Sequence, residues 1–326
     1  MYNKIALEEH VMAPDFSVTG NPAFVDEAYH LETERKIIEY TERLQEMDQT
    51  GIQTAILSLT SSGIEGVLDE AEAIERAKQM NDYIANFFIA KNKSRFLGFA
   101  ALPLQNPKAA AKELERTVKT LGFKGAMING YSNIGNENTA QYLDEPQVWE
   151  FWECVEALDV PVYLHPRMPL PSQQRIYHGY EALLGSAYGF GVETAIHSMR
   201  LMMSGIFDRF PKLNIILGHL GEGLPYTLPR TQHRLRHQKP AFQGKHKRPL
   251  MEYLRENFYL TTSGILSTQT LINAILEVGS DRIMFSVDYP YESMTEISTW
   301  FDNCSISDND RIKIGRTNAQ KLFNIS

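Results

Sequence analysis

Short apolar runs alternate along the chain with longer stretches in which charged residues recur at helical spacing. The apolar runs are rich in Ile, Val, Leu, Phe and Tyr, and helix-period segments such as residues 69–93, 108–121 and 147–158 lie between them. Near-continuous apolar strands that alternate with helices are typical of a parallel sheet covered on both faces. Eight such runs are present: residues 4–7, 53–59, 96–102, 125–128, 160–164, 213–217, 258–262 and 282–286. Eight strand–helix units predict an α/β fold, a (β/α)8 TIM barrel that takes up residues 1–326 as one domain.

An open doubly wound sheet is the alternative architecture for the same pattern. Many such sheets carry a phosphate loop of the form G-x-G-x-x-G. Residues 218–223 instead read Gly-His-Leu-Gly-Glu-Gly, which does not match that spacing. Two polar stretches fit neither strands nor helices: residues 131–145, which follow the fourth run, and residues 238–249, which are basic. Both are predicted to be loop insertions in the barrel.

The charge and cysteine content narrow the class of protein. The chain has 32 Lys and Arg against 40 Asp and Glu, a net charge of −8, which argues against non-specific nucleic-acid binding. Its two cysteines, Cys154 and Cys304, provide neither a disulfide framework nor a zinc motif. No apolar run approaches the roughly 18 residues needed to cross a membrane, and no secretory signal precedes the first strand. We therefore expect a cytoplasmic protein without nucleic-acid or membrane partners.

Residues that bind metals or carry protons follow four of the eight predicted strands. Glu8 and His10 follow the first strand, and because side chains alternate along a strand, both point to one face and Glu9 to the other. His165 follows the fifth strand, His219 the sixth and Asp288 the eighth. Each of these alone is explained as well by a core histidine or a turn aspartate.

Together these residues predict one site, because the carboxyl ends of barrel strands meet at the same mouth and carry the catalytic residues. A carboxylate, two histidines and an aspartate that converge there form a mixed nitrogen and oxygen ligand set. Such a set suits Zn, Mn, Fe or Co. The sequence has no lysine motif that would indicate an organic cofactor.

Four motifs resemble the amidohydrolase-2 branch of the amidohydrolase superfamily, and within it the non-oxidative aromatic acid decarboxylases. The motifs are Ala6-Leu7-Glu8-Glu9-His10, Tyr163-Leu164-His165-Pro166-Arg167, Ile216-Leu217-Gly218-His219-Leu220-Gly221-Glu222 and Phe285-Ser286-Val287-Asp288-Tyr289-Pro290. The resemblance spans nearly the whole chain. Its Glu-x-His opening differs from the His-x-His opening of the hydrolases in the superfamily. The resemblance implies metal-dependent, reversible decarboxylation of a hydroxybenzoic acid such as 2,6-dihydroxybenzoate, without an organic cofactor, in a homo-oligomer (tetramer or dimer).

The resemblance also implies a role for individual residues. Glu8, His10, His165 and Asp288 would bind one divalent ion, Zn or Mn. Asp288, with His219 and Glu222 beside it, would carry the acid–base chemistry. The residues implied to line the substrate pocket are Phe24, Phe190, Arg230 and Tyr291.

Three positions depart from the pattern of this group. Tyr291 stands where relatives often have Phe, Ile265 where they often have a polar residue, and Pro229 where they often have Trp. These departures affect which substrate is expected, and they leave the expected reaction unchanged. A metal-dependent hydrolase of a lactone or amide on the same fold is the alternative function. A barrel that only binds a partner is a weaker alternative, since a metal-binding residue stands at each expected ligand position.

Overall fold

The eight predicted strands are present in the computed structural model, which describes residues 1–16 and 22–325. Eight of its strands run parallel to their neighbours, and a short antiparallel hairpin (β5 and β6) adds two more. The strands are β1 (Lys4–Val11), β2 (Ile52–Leu59), β3 (Phe96–Gly98), β4 (Ala126–Asn129), β5 (Ser132–Ile134), β6 (Asn136–Gln141), β7 (Val162–His165), β8 (Ile215–Leu217), β9 (Phe258–Thr261) and β10 (Ile283–Met284).

The parallel strands follow one another in a ring. β1, β2 and β3 form one ladder, and β4, β7, β8, β9 and β10 form a second ladder in that order. Two single parallel bridges join the ladders, one between Ala100 and Ala126 and one between Glu9 and Tyr289. Hydrogen bonds from Met127 N to Ala100 O (3.1 Å) and from His10 N to Tyr289 O (2.7 Å) accompany these bridges. The prediction of an α/β barrel rather than an open sheet is therefore confirmed.

Helices cover the outside of the strands, and several begin at Asp, Asn or Ser residues whose side chains accept from the first helical turn, as at Asp69 and Ser293. The helices are α1 (Glu27–Ile37), α2 (Thr41–Thr50), α3 (Glu70–Tyr83), α4 (Pro107–Arg116), α5 (Trp149–Leu158), α6 (Gly189–Ser204), α7 (Ile206–Arg209), α8 (His219–Glu222), α9 (Leu224–Leu235), α10 (Leu250–Asn257), α11 (Thr268–Val278), α12 (Met294–Asn303), α13 (Asp308–Ile312) and α14 (Asn318–Phe323). None of the described helices is long and apolar enough to span a membrane.

The interior of the barrel is layered along the strand direction. Its lower layer is apolar and is closed by Ala319 and Phe323 of α14; the strands contribute Ile5, Leu7, Ile56, Phe99, Met127, Tyr163, Ile216 and Met284. Since side chains alternate, the next residues to point inward lie two positions further along each strand. On five of the eight strands these residues are polar and buried: Ser58, Asn129, His165, Thr261 and Ser286. The sequence pattern thus places a polar layer directly above the apolar one, at the carboxyl ends of the strands.

A β-bulge in β1 brings the metal-binding motif into this polar layer. Ala6 pairs with Ala55, but Glu9 pairs with Leu57, so three residues of β1 span two of β2. Leu7 packs in the interior cluster, and the next residue, Glu8, also points inward and contacts Tyr163. The extra residue reverses the alternation of the strand.

The two predicted insertions differ in structure. Residues 131–145 hold the β5–β6 hairpin, whose strands pair through Ser132 with Gln141 and Asn133 with Ala140. Residues 238–249 hold one 3-10 turn, Pro240–Phe242, and otherwise run without helix or strand. The hairpin is a difference from the sequence interpretation, which assigned no strands to residues 131–145.

Candidate metal centre and active site

Four side chains meet at the mouth of the barrel. Glu8, His10, His165 and Asp288 each present one ligand atom, and these four atoms all lie within 4.8 Å of one another. His10 Nε2 lies 3.1 Å from Asp288 Oδ1, and His165 Nε2 lies 3.2 Å from Glu8 Oε1. The imidazole rings of His10 and His165 meet edge to face at 4.7 Å. The structure therefore brings together the four residues that the sequence indicated as ligands.

The hydrogen bonding of these atoms fits a metal ion. Glu8 Oε1, His10 Nε2 and Asp288 Oδ1 are buried, and none has a hydrogen-bond partner in the described structure. Unpaired buried carboxylates are costly, and a cation is the usual compensation. Two carboxylates and two imidazoles also match the oxygen and nitrogen donors that Zn and Mn accept. The donor set is therefore consistent with one divalent ion.

Tyr163 and Ser286 fix the position of Glu8. The Tyr163 hydroxyl donates to Glu8 Oε2 at 2.5 Å and lies 2.8 Å from Thr261 Oγ1. The backbone N–H of Glu8 donates to Ser286 Oγ at 2.6 Å. Burial, reinforced by the charge of Glu8, holds the pKa of Tyr163 well above its usual value, so this hydroxyl keeps its proton and donates it.

His10 and Asp288 are held by neighbouring elements. Ser58 Oγ lies 3.4 Å from His10 Nδ1, and Arg43 of α2 donates from Nη2 to the carbonyl of His10 at 2.5 Å. The N–H of Asp288 donates to the carbonyl of Glu8 at 3.0 Å, which ties the end of β10 to β1. Asp288 has a φ of 80°, a left-handed conformation that non-glycine residues adopt at a cost.

His219 connects Asp288 to Glu222. His219 Nδ1 lies 2.7 Å from Glu222 Oε1, and His219 Nε2 lies 3.6 Å from Asp288 Oδ2. Burial lowers the pKa of His219, but the charges of Glu222, Glu8 and Asp288 outweigh it and hold that pKa well above the usual value. The imidazole lies between the carboxyl groups of Glu222 and Asp288. Such an arrangement can hold a proton and pass it to Asp288.

The short segment α8, which carries His219, has a left-handed backbone at most of its residues. His219, Leu220 and Glu222 have φ values of 49°, 51° and 54°. Each non-glycine residue in this conformation costs roughly 1–2 kcal/mol. The turn that aims His219 at Asp288 is therefore maintained by its surroundings, which include the bond from His219 N to Ser263 Oγ at 3.1 Å.

The four predicted pocket residues differ in their surroundings. Tyr291 packs its ring 5.7 Å from that of His10, and its hydroxyl lies 2.6 Å from Thr60 Oγ1. Burial raises the pKa of Tyr291 to about 12. Phe24 and Phe190 both adjoin Gly185: a Cβ built there would lie 3.2 Å from Phe24 Cε2, and Phe190 N donates to Gly185 O at 3.2 Å.

Arg230 differs from the other three in its surroundings. It is exposed on α9 and forms no hydrogen bond or ion pair with the described residues. Pro229 beside it is also exposed, whereas Ile265 is half-buried and packs on the core around the barrel. The placement of Arg230 in the substrate pocket therefore stays a prediction.

Several residues of the site carried no signal in the sequence. Tyr163 reads as part of an apolar strand, and Ser58 and Thr261 read as ordinary strand residues. Glu292, half-buried beside Asp288, was also missed; burial and the charge of Asp288 raise its pKa to about 7. The position of Tyr163 two residues before His165 on one strand was the single available hint, because both must then face the same side.

The sequence matches the family model described as Amidohydrolase over residues 10–325. The gamma-resorcylate decarboxylase of Polaromonas sp. (strain JS666 / ATCC BAA-500) is 50% identical over 327 residues, covering 100% of this chain and 100% of that protein. The crystal structure of dihydroxybenzoic acid decarboxylase from Polaromonas sp. JS666, with bound manganese and the inhibitor 2-nitroresorcinol, has a TM-score of 0.94 at 49% identity, covering 99% of this chain and 97% of that one. A 2,6-dihydroxybenzoate decarboxylase complexed with 2,6-dihydroxybenzoate gives a TM-score of 0.94 at 49% identity, with 100% of both chains covered.

These similarities extend over the barrel and its mouth. The family match begins at His10 and continues past Asp288, so it includes three of the four converging residues, and the full-length relatives also cover Glu8. The chain belongs to the amidohydrolase family, in which it is grouped with the gamma-resorcylate decarboxylases.

Proposed function

We propose that the protein is a metal-dependent carboxy-lyase that removes CO2, reversibly, from a hydroxybenzoic acid such as 2,6-dihydroxybenzoate. The observation that carries this proposal is the shared position of Asp288, which lies 3.1 Å from His10 Nε2 and 3.6 Å from His219 Nε2. One carboxyl group thus belongs both to the metal-binding cluster and to the His219–Glu222 pair. The relatives whose structures hold manganese, an inhibitor or 2,6-dihydroxybenzoate support the same reaction.

The reaction requires a proton at the ring carbon that bears the carboxylate. Direct loss of CO2 from a benzoate would leave a carbanion in the ring plane, where the π system does not stabilise it. If C1 is protonated first, an ortho oxygen becomes a ketone, the C1–CO2 bond breaks, and its electron pair restores the aromatic phenolate. A divalent ion held by Glu8, His10, His165 and Asp288 would act as a Lewis acid toward the carboxylate and the ortho oxygen.

The acid–base steps fall to the residues beside the ion. Asp288 gives its proton to C1 and becomes a carboxylate. His219, which carries a proton between Asp288 and Glu222, returns one to Asp288 after CO2 has left, so each turnover consumes one proton. A positioned general acid of this kind contributes about 10²–10⁴-fold to the rate. In the reverse direction Asp288 removes the proton from the same ring carbon.

The aromatic ring of the substrate requires apolar walls, and Phe24, Phe190 and Tyr291 are the residues that we assign to them. Tyr291 supports this assignment best, because its ring adjoins that of His10. Arg230 is assigned to the lining of the substrate pocket by resemblance, and its side chain is exposed on α9. The lactone or amide hydrolase is not supported, since the relatives described above are decarboxylases.

The test of the proposal is ring exchange in deuterated water. With manganese present, the parent protein should release CO2 from 2,6-dihydroxybenzoate. It should also incorporate deuterium into resorcinol at the carbon between the hydroxyls, because protonation runs backward through the same acid. Asp288→Asn keeps the size and one ligand oxygen but loses the transferable proton, so we expect neither activity. Exchange retained by this variant would exclude Asp288 as the acid, and exchange absent from the parent protein would count against the decarboxylase.

We further propose a cytoplasmic homo-oligomer, a dimer or tetramer. The two cysteines are both free, which suits a reducing compartment. Large apolar side chains are exposed on one stretch of the chain, with Ile176, Tyr180 and Tyr188 at 83%, 72% and 64% of their full exposure. Contiguous exposed apolar surface is typical of subunit contacts, and these three side chains would contribute to such a surface.

A further inference from the structure

A buried polar pair beside the metal centre has no role in the reaction as described. Asn129 is the last residue of β4, and Glu65 lies in the 3-10 turn Ile64–Gly66 that follows β2. Both side chains are buried, at 2% and 1% exposure. Asn129 Nδ2 donates to Glu65 Oε2 at 3.2 Å. The amide oxygen, Asn129 Oδ1, is also buried but has no partner in the described structure.

A matching donor lies on the neighbouring strand. Asn129 and His165 are register partners in the parallel ladder of β4 and β7, so their side chains point the same way. His165 turns Nε2 toward Glu8, at 3.2 Å from Oε1, which leaves Nδ1 on the opposite side of the ring. Nδ1 is also buried and without a partner. A histidine that binds metal through Nε2 carries its proton on Nδ1 and needs an acceptor for it.

The other metal-binding histidine is arranged in the same way. His10 and Ser58 are register partners on β1 and β2, and Ser58 Oγ lies 3.4 Å from His10 Nδ1. Each histidine therefore ends a strand next to a polar, buried register partner on an adjacent strand. For His10 this partner faces Nδ1 directly, and for His165 the corresponding residue is Asn129.

The Glu65–Asn129 pair is held in place by its surroundings. Gln105 Nε2 donates to the carbonyls of Ile64 and Val67, at 2.7 and 2.8 Å, and so fixes the turn that carries Glu65. A Cβ at Gly63 would lie 2.4 Å from Asn129 Nδ2 and 2.6 Å from Glu65 Oε2, so only glycine fits there. Because a carboxylate accepts from Nδ2, the amide has one orientation, with Oδ1 left for another donor.

We propose that Asn129 is a positioning residue for the metal centre: Oδ1 and His165 Nδ1, each without a partner in the described structure, pair when the ion holds Nε2, so that Oδ1 accepts the Nδ1–H and fixes the ring. Glu65, Asn129 and His165 then form a carboxylate–amide–imidazole chain that ends at the metal. This inference rests on the proposed metal site. It does not depend on which hydroxybenzoate is the substrate, since it concerns the ion alone.

The test measures manganese affinity in the absence of substrate, by competition with a chelator. Asn129→Leu preserves the approximate size but removes the acceptor, and we expect manganese to bind about 10–100-fold more weakly. The control is Asn133→Leu. Asn133 is equally buried in the same region, but its Oδ1 accepts from Arg167 Nη2 at 2.9 Å rather than from a metal ligand. This control should bind manganese as the parent protein does.

A second variant separates positioning from packing. The exchange Asn129→Asp with Glu65→Gln conserves charge, keeps a hydrogen bond between the two side chains, and leaves a carboxylate oxygen to accept from His165. It should restore the affinity of the parent protein. If Asn129→Leu does not fold, Asn129→Ala takes its place with the same expectation, because a methyl group has no acceptor.

Three results would overturn the inference. Parental manganese affinity in Asn129→Leu would do so, whatever happens to turnover. An equal loss in Asn129→Leu and Asn133→Leu, or failure of the charge-conserving exchange to restore binding, would show that the cluster acts only through packing. Failure of the parent protein to bind manganese would overturn the proposed function as well, so the two cases are distinguishable.

Discussion

The hydroxyl group of Tyr163 offers the sharpest test of how the barrel holds its metal. Tyr163 is fully buried in the apolar interior layer and donates to Glu8 Oε2 at 2.5 Å. Tyr163→Phe removes this one atom and keeps the ring that packs below the site. The variant therefore leaves Glu8 Oε2 without its donor in a place that water does not reach. We expect weaker metal binding and a less stable metal-free protein.

Two arguments give the size of the effect. A hydrogen bond to a charged group contributes about 1.5–3 kcal/mol to stability. Leaving a buried acceptor without its donor costs a similar free energy. Residues that support metal ligands change metal affinity by about 10–100-fold when they are removed, which corresponds to about 1.4–2.7 kcal/mol. Both arguments predict at least a tenfold loss of manganese affinity. The free energy of unfolding of the metal-free protein should fall by about 1–3 kcal/mol.

The assay is chelator competition for manganese, together with denaturant unfolding of the metal-free protein. Tyr259→Phe is the matched control. Tyr259 lies on β9, which β8 separates from β7, and packs against the same interior cluster, but its ring faces Arg282 at 4.6 Å and its hydroxyl bonds to none of the described residues. If Tyr163→Phe binds manganese as tightly as Tyr259→Phe does, then Tyr163 does not hold Glu8 for the metal and the reasoning is wrong.

Two further predictions concern histidines with opposite roles. His219→Gln should lower kcat by about 10²–10⁴-fold with manganese affinity unchanged, and parental turnover in this variant would contradict the proton path. His197 is buried with Nε2 accepting from Leu143 N at 3.0 Å, and burial lowers its pKa to about 3. Because only the unfolded chain then binds a proton, stability should fall by about 1.4 kcal/mol per pH unit as pH drops below about 6.5. His197→Gln keeps an acceptor but cannot titrate. Between pH 6.5 and 4.5 the parent protein should therefore lose more free energy of unfolding than this variant, as measured by denaturant unfolding. An equal loss in the two proteins would contradict the prediction.

The eight strands and the four converging residues were predictable because both depend on local patterns. Apolar runs mark strands, and the residue after a run lies at the mouth of a parallel barrel. The strand bounds were less accurate for a physical reason. β1 runs from Lys4 to Val11, whereas its apolar run ends at Leu7. Glu8, Glu9 and His10 are polar and buried within the strand, so the apolar pattern stops before the strand does.

The supporting contacts were not predictable, because they join residues that are far apart in the chain. Tyr163 and Glu8 are 155 residues apart, and Glu8 N reaches Ser286 across 278 residues. The side chains are ordinary strand residues whose partners depend on how the barrel closes. The left-handed conformation of His219 was equally hidden, since neither histidine nor the following leucine favours a φ near 50°.

The bulge in β1 shows how one residue decides whether the site exists. Alternation correctly places Glu8 and His10 on one face and Glu9 on the other, but it does not say which face is inside. If β1 continued the alternation of Ile5 and Leu7, Glu9 would point into the barrel, and Glu8 and His10 would lie among the helices. A shift of one residue moves every later side chain to the other face. The extra residue between Ala6 and Glu9 makes that shift at the boundary between the apolar layer and the polar layer. The bulge therefore lets one strand contribute both to the packed interior and to the metal centre.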